Sequence, residues 1–209
     1  MKKNDRQIAF DRIYQDAYWG AGHLSGSGST IQATTLVRGV IDRVVRDFHV
    51  RSIADVACGD MVWMPIVLEG LKADGLDIEY VGCDIVPSLI KAHTEKFPNY
   101  KFLHLDFVAN EIPAADMIIC REALQHLPVN DIKTALENFS TSGAKYLLAT
   151  LHLRRYGIRN RLSMKAGRCR DRNLLISPFN LPNPIAIYPE ALGQKDKFIG
   201  LWALPFRQD

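Results

Sequence analysis

Ser52-Ile-Ala-Asp-Val-Ala-Cys-Gly-Asp60 is the stretch whose reading decides the fold. Small and branched apolar residues run up to Ala57, Cys58 and Gly59, and a helical pattern opens shortly after. A strand that stops in a small-residue turn before a helix lets a ligand approach the backbone. The free amides at the helix start then point at that ligand. Ala57 and Gly59 keep the turn narrow. Asp55 and Asp60 add negative charge, which is wrong for a pyrophosphate and right for an ammonium group. Taken alone, the stretch also reads as an ordinary strand-to-helix turn.

Downstream the chain alternates. Residues 62–71 read as a helix, 78–83 as a strand, 87–96 as a helix and 100–105 as a strand. Residues 116–120 read as a strand, 130–139 as a helix and 145–151 as a fifth strand. Repeated alternation argues for a mostly parallel sheet with helices on both faces. Ile185-Ala-Ile-Tyr188 and residues 198–204 read as two last strands, which fit a C-terminal antiparallel hairpin and bring the expected sheet to seven strands.

Upstream, residues 5–19 carry Ile8, Phe10, Ile13, Tyr14 and Ala17 at near-helical spacing. A Gly/Ser segment follows over 19–30, and residues 31–48 read as a helix with Leu36, Val37, Val40, Ile41, Val44 and Val45 on its apolar side. The expectation is one α/β domain over 1–209. Residues 1–50 supply N-terminal helices and a Gly/Ser lid, 51–152 a ligand-binding core, and 153–209 an acceptor-side insertion and the terminal strands.

Composition agrees with a single domain. The chain has 209 residues, 47% of them hydrophobic, enough for one core and cramped for two. Charged residues make up 23%, without a long polar low-complexity run, which excludes a disordered chain. The net charge of +3 is unevenly spread. Arg154, Arg155, Arg159, Arg161, Lys165, Arg168, Arg170 and Arg172 face one acid in that stretch, Asp171. Such a patch attracts an anionic acceptor or surface, or is a solvated loop. Cys58, Cys83, Cys120 and Cys169 form no Cys-x-x-Cys pair and read as free thiols of a reducing compartment. The first residues lack the apolar core of a secretory signal, and no apolar run approaches the ~18–20 residues of a membrane span. A cytoplasmic location is expected.

Further polar groups fall at strand ends. Asp84, followed by Ile85, closes the second strand at close to the ~20-residue separation of a ribose-binding carboxylate; it also suits a helix cap. Asp106-Phe107 closes the third, an acid and a ring fit for an adenine. Arg121-Glu122 closes the fourth, with His126 four residues on. Ligands of open α/β sheets sit outside these strand ends.

Over residues 55–150 this ordered set resembles the class I methyltransferases that use S-adenosylmethionine (SAM), which implies a Rossmann-like domain. By that resemblance Asp55, Ala57, Cys58, Gly59 and Asp60 line the methionine part. Asp84 and Ile85 hold the ribose, and Asp106 and Phe107 meet the adenine. Trp19, Ser25, Ser29, Arg38 and Arg121 complete the cofactor-binding set. The usual loop has glycines where this chain has Ala57 and Met61, so a differently shaped turn is expected. More narrowly, Trp19-Gly20, Ser25-Gly-Ser-Gly-Ser29, the segments 58–64 and 120–127, and a tail with Asn160, Gly167, Arg170, Asn173 and Pro178 resemble small methylases found near glycan-assembly genes in bacteria and large DNA viruses of algae. That resemblance implies O-methylation of a sugar or glycan hydroxyl.

Removing a hydroxyl proton calls for a base titrating near neutrality, usually histidine. His126 is the first candidate and His152 the second; Arg121 and Glu122 would orient acceptor or base. A divalent cation held by Asp106, Glu122 and His126 is possible, but no spacing demands a metal and none is expected. An NAD-dependent oxidoreductase needs three spaced glycines that the turn lacks. A non-catalytic SAM-binding protein, and an RNA, protein or phenolic acceptor, remain as rival readings.

Overall fold

A computed structural model describes residues 4–20, 22–154, 160 and 162–206. Seven strands form one sheet: β1 (Ser52–Val56), β2 (Glu79–Asp84), β3 (Lys101–His104), β4 (Met117–Cys120), β5 (Tyr146–His152), β6 (Ala186–Pro189) and β7 (Lys197–Ala203). Their order is β3-β2-β1-β4-β5-β7-β6. The first five run parallel, and β7 is antiparallel to both β5 and β6. The order turns back on itself between β1 and β4, which opens a crevice at their carboxyl ends.

The apolar runs explain the layers. Every residue of β4 is buried, as a parallel strand covered on both faces requires. On one face, α2 (Thr35–Asp47) and α3 (Met64–Ala73) pack Val37, Ile41, Val44, Met64 and Leu71 against Ile53, Ile119 and Leu201. On the other, α5 (Val129–Thr141) packs Ile132, Ala135 and Phe139 against Ala54, Ile118, Leu147 and Trp202. The Trp202 indole nitrogen donates to Pro182 O at 2.9 Å, so its burial leaves no polar group unmet. Between β2 and β3, α4 (Pro87–Lys96) opens on a proline, whose fixed φ suits a first turn. The expected α/β fold with its C-terminal antiparallel hairpin is the observed one.

Two N-terminal elements differ from expectation. The helix expected over 31–48 starts at Thr35. The Thr34 hydroxyl donates to Thr30 O at 2.8 Å and the Thr30 hydroxyl accepts Ala33 N at 3.1 Å, so side chains hold 31–34 in turns. α1 (Asp5–Gln15) ends before Ala17, whose φ of +46° breaks the helix. Ile8 is exposed and Asp11 buried, while Ile13 is buried as the apolar spacing expects. All four cysteines are free. No helix among the described residues is long and apolar enough to cross a membrane.

Candidate functional site

A cavity of about 330 Å³ lies at the carboxyl ends of β1, β2 and β4, roofed by α1, Trp19 and residues 25–29. Its floor is the β1–α3 turn. Ala57 N and Cys58 N both donate to Cys83 O at 2.9 Å. Asp84 ties the neighbouring strand to this turn: its Oδ2 accepts Gly59 N at 3.1 Å and its Oδ1 accepts Val86 N at 3.0 Å. Behind the turn, the His93 Nε2–H donates to Gly59 O at 2.7 Å. Ala57 (φ +68°), Gly59 (+62°) and Met61 (+55°) are all left-handed. Ala57 and Met61 thus adopt the conformation that glycine takes freely, a strained backbone for residues with a side chain.

Two acids face the cavity without a cation paired to them among the described residues. The Tyr80 hydroxyl donates to Asp55 Oδ2 at 2.8 Å. Burial raises Asp55 to about 7, the Tyr80 hydrogen bond pulling the other way. Burial raises Asp84 to about 6 against the pull of the Val86 and Gly59 amides.

The Gly/Ser segment is latched to the turn. Ser25 N donates to Asp60 Oδ2 at 3.1 Å, while Asp60 N donates to Ser25 Oγ at 2.8 Å. Tyr14 Oη lies 2.7 Å from the same Ser25 oxygen. A Cβ on Gly59 would stand 2.5 Å from Ser25 Oγ, so glycine is what allows the latch to seat. Arg121 reaches the segment from below, donating to Gly28 O at 2.8 Å.

α1 supplies a wall that sequence reasoning missed. Arg6, Phe10 and Tyr14, spaced by four, line the cavity as one helical stripe. The near-helical spacing already held Phe10 and Tyr14; Arg6, four residues before Phe10, was not marked. Arg6 grips Asp106, its Nη2 2.8 Å from Oδ2, and also pairs with Asp131 at 3.1 Å. Asn4 Nδ2 donates to the same Asp106 oxygen at 2.7 Å, and Val108 N to Oδ1 at 3.1 Å. Asp106 therefore anchors α1, and little of its accepting capacity is left for the adenine amine expected there.

At the far end stand Glu122, Gln125, His126 and Cys169. The His126 Nδ1 lies 3.0 Å from Arg168 O. A carbonyl only accepts, so the proton sits on Nδ1 and Nε2 carries the lone pair. Burial holds the His126 pKa below its ordinary value, against the Arg168 carbonyl and Glu122, so the ring is neutral at neutral pH. Trp19 packs on this ring with centroids 4.8 Å apart. Glu122 has φ +55° and its N donates to Thr150 Oγ1 at 2.9 Å. Burial opposes its charge, but Lys197 Nζ at 2.7 Å and Arg121 hold its pKa below the ordinary value. Arg121 Nε lies 3.0 Å from Glu190 Oε1, and Glu190 is fully buried. Lys197 and Glu190 come from the terminal hairpin, and no sequence motif marked them.

Of the expected residues, Trp19, Ser25, Ser29, Asp55, Ala57, Cys58, Gly59, Asp84, Ile85, Asp106, Phe107, Arg121, Glu122 and His126 line the cavity. Arg38, Asp60 and His152 do not. Arg38 reaches back to the turn before its helix and donates to Ile31 O at 3.2 Å. Asp60 is committed to the latch. His152 accepts Arg172 N on Nδ1 at 3.3 Å and presents Nε2 to Asp171 at 3.6 Å, which leaves no free lone pair for a base. Asp106, Glu122 and His126 do not converge as metal ligands: no cluster of three such groups occurs among the described residues. Arg121 faces the lid and Glu190 and lies over the Trp63 ring at 5.4 Å, so orienting an acceptor is not its visible role.

Residues 54–142 match the family model described as a methyltransferase domain. No curated protein matches the chain. Among solved structures, the chain is similar to magnesium protoporphyrin IX methyltransferase (ChlM) from Synechocystis PCC 6803 with bound SAM, at 12% identity and TM-score 0.63, covering 97% of this chain and 98% of that one. The N-methyltransferase NodS from Bradyrhizobium japonicum WM9, in complex with S-adenosyl-L-homocysteine, aligns at 13% identity and TM-score 0.62 over 93% and 99%. Human N-acetylserotonin methyltransferase in complex with SAM aligns at 17% identity and TM-score 0.57 over 84% and 55%. The chain thus has the Rossmann-like methyltransferase fold, with a match to the methyltransferase domain at its centre.

Proposed function

We propose that this chain is a SAM-dependent methyltransferase that methylates a hydroxyl of a sugar or glycan acceptor, with His126 as general base. The observation that carries the reading is the joining, in one cavity, of two buried carboxylates, unpaired with a cation among the described residues, to a histidine whose Nε2 carries the lone pair. The donor set suits SAM: Asp55 would face the ammonium group, Asp84 the ribose hydroxyls, and Phe107 the base. When bound, SAM supplies a methyl carbon activated by a sulfonium. His126 Nε2 would take the proton from the acceptor hydroxyl as its oxygen is methylated. Glu122 and Gln125 provide hydrogen-bonding groups and Trp19 a flat apolar one, a combination fit for a polyhydroxylated ring. Holding the two reactants in line should supply most of the rate.

The test is label transfer from methyl-labelled SAM into hexose and deoxyhexose glycosides, with catechol and RNA as controls. Label is expected in a glycoside, and His126→Ala should lower the rate by about 10²–10⁴-fold. Label only in RNA or catechol overturns the acceptor. By calorimetry, Asp84→Ala should weaken SAM binding strongly; unchanged affinity overturns the ribose assignment.

A further inference from the structure

The basic stretch near the C-terminus separates into parts with different work. Arg155, Arg159 and Arg161 lie outside the described residues. Arg172 is internal: 1% exposed, it donates to Asn160 O at 2.9 Å, Leu162 O at 3.2 Å and Leu127 O at 3.2 Å. Arg154 pairs with Asp171 at 3.1 Å and Asp196 at 3.5 Å. Lys165, Arg168 and Arg170 remain, and none of them pairs with a carboxylate among the described residues.

The backbone that carries these three is built against residues of the cavity wall. Gly167 N donates to His126 O at 2.9 Å and Arg170 N to Gln125 O at 3.0 Å, while Arg168 O holds the His126 ring. Gly167 has φ +84°, and a Cβ there would strike Ile13 Cδ1 at 2.7 Å, so α1 clasps the turn from the other side. Cys169, between the two arginines, lines the cavity. Arg170 Nε is shielded from solvent and has no hydrogen-bond partner among the described residues, which is costly for a cationic group. Arg170 also disfavours the charge on Arg172. Asp171, the next residue after Arg170, is already paired with Arg154 at 3.1 Å.

We infer that Lys165, Arg168 and Arg170 form an oxyanion subsite at the acceptor mouth, and that the acceptor carries a phosphate ester near the hydroxyl to be methylated. This rests on the reading of the cavity as an acceptor site. Arginine matches phosphate with two parallel N–H donors, and a lysine beside it adds a point charge. Among the described residues, three cations carried by one short turn suit a single phosphate or diphosphate, and the flanking Arg154 and Arg172 are already engaged.

Two measurements on the full chain test it. Calorimetric titration with inorganic pyrophosphate requires no turnover, so it stands even if methyl transfer to sugars fails. Binding is expected, weakened about tenfold or more in Arg168→Gln/Arg170→Gln and less in Arg168→Lys/Arg170→Lys, which keeps the charge and loses the paired donors. SAM affinity reports that each variant is folded. Absence of pyrophosphate binding, or binding indifferent to the Gln pair, overturns the subsite. Single-stranded RNA that outcompetes pyrophosphate through the same two arginines overturns the small-acceptor reading. The second measurement compares kcat/KM for a neutral methyl hexoside, the hexose 1-phosphate and the nucleoside-diphosphate hexose. A roughly tenfold preference for a phosphorylated form, collapsing toward unity in the Gln pair, is expected, and the two phosphorylated acceptors distinguish monoester from diphosphate. Equal kcat/KM on neutral and phosphorylated sugars overturns the phosphate assignment.

Discussion

Asp55 and Asp84 bring opposed demands to one site. Burial raises Asp55 from 3.8 to about 7. The fold therefore favours its protonated form, and this contribution to stability is complete below pH ~4 and lost as the pH rises through about 7. Binding a cation needs the ionised form, so affinity runs the other way. SAM binding should be full above pH ~7.5 and weaken as the pH falls through 7 and then 6, where Asp84 also protonates. A flat profile between pH 5.5 and 8.5 by calorimetry would remove both carboxylates from the cation's surroundings. Asp55→Asn should stabilise the fold at pH 8 by on the order of 1–3 kcal/mol and lose that advantage near pH 4, while weakening SAM binding. The positions of these acids were legible in the sequence because each closes a strand. Their pKa values were not, because burial comes from Tyr80, Cys83 and the strands beside them.

At the scale of elements, the Gly/Ser segment was legible as a lid, but its fastening was not. Ser25 meets Asp60 across 35 residues, and Arg6 meets Asp106 across 100. No local pattern encodes either pair. Ser25→Ala removes the acceptor for Asp60 N and the partner of Tyr14, at an expected cost of about 1 kcal/mol. Hydrogen exchange should quicken at Asp60 and over 25–30, with the strand amides unaffected; uniform change across the chain would mean that the latch is not a local device. The α1 strap explains why Asp106, an acid in the right place for an adenine, is already occupied. It also explains why Arg6 shares the cavity-facing stripe of α1 with Phe10 and Tyr14.

Across the whole molecule, β7 inserts between β5 and β6 and carries Lys197 to the end of β4. Glu190 follows β6 into the same buried group. Lys197 is 11% exposed and Glu190 fully buried, so Lys197→Met would leave two carboxylates to Arg121 alone. A loss of about 3–5 kcal/mol is expected. Both acids would then favour protonation, so the loss should be smaller at pH 5.5 than at pH 8 by thermal melting. A pH-independent loss would point to packing of the lysine stem instead.

Local periodicity by itself determined the elements, their mostly parallel arrangement and the strand ends where acids gather, because each depends on residues within a few positions of one another. It also placed His126 beside the fourth strand. Only the tertiary structure decided the strand order, the grip of α1 on Asp106, the pairing of Lys197 with Glu122 and the exclusion of Arg38, Asp60 and His152 from the cavity. It also withdrew Arg154 and Arg172 from the basic patch. These outcomes depend on which side chains meet after the chain closes on itself, and contacts across tens of residues leave no periodic trace in the sequence.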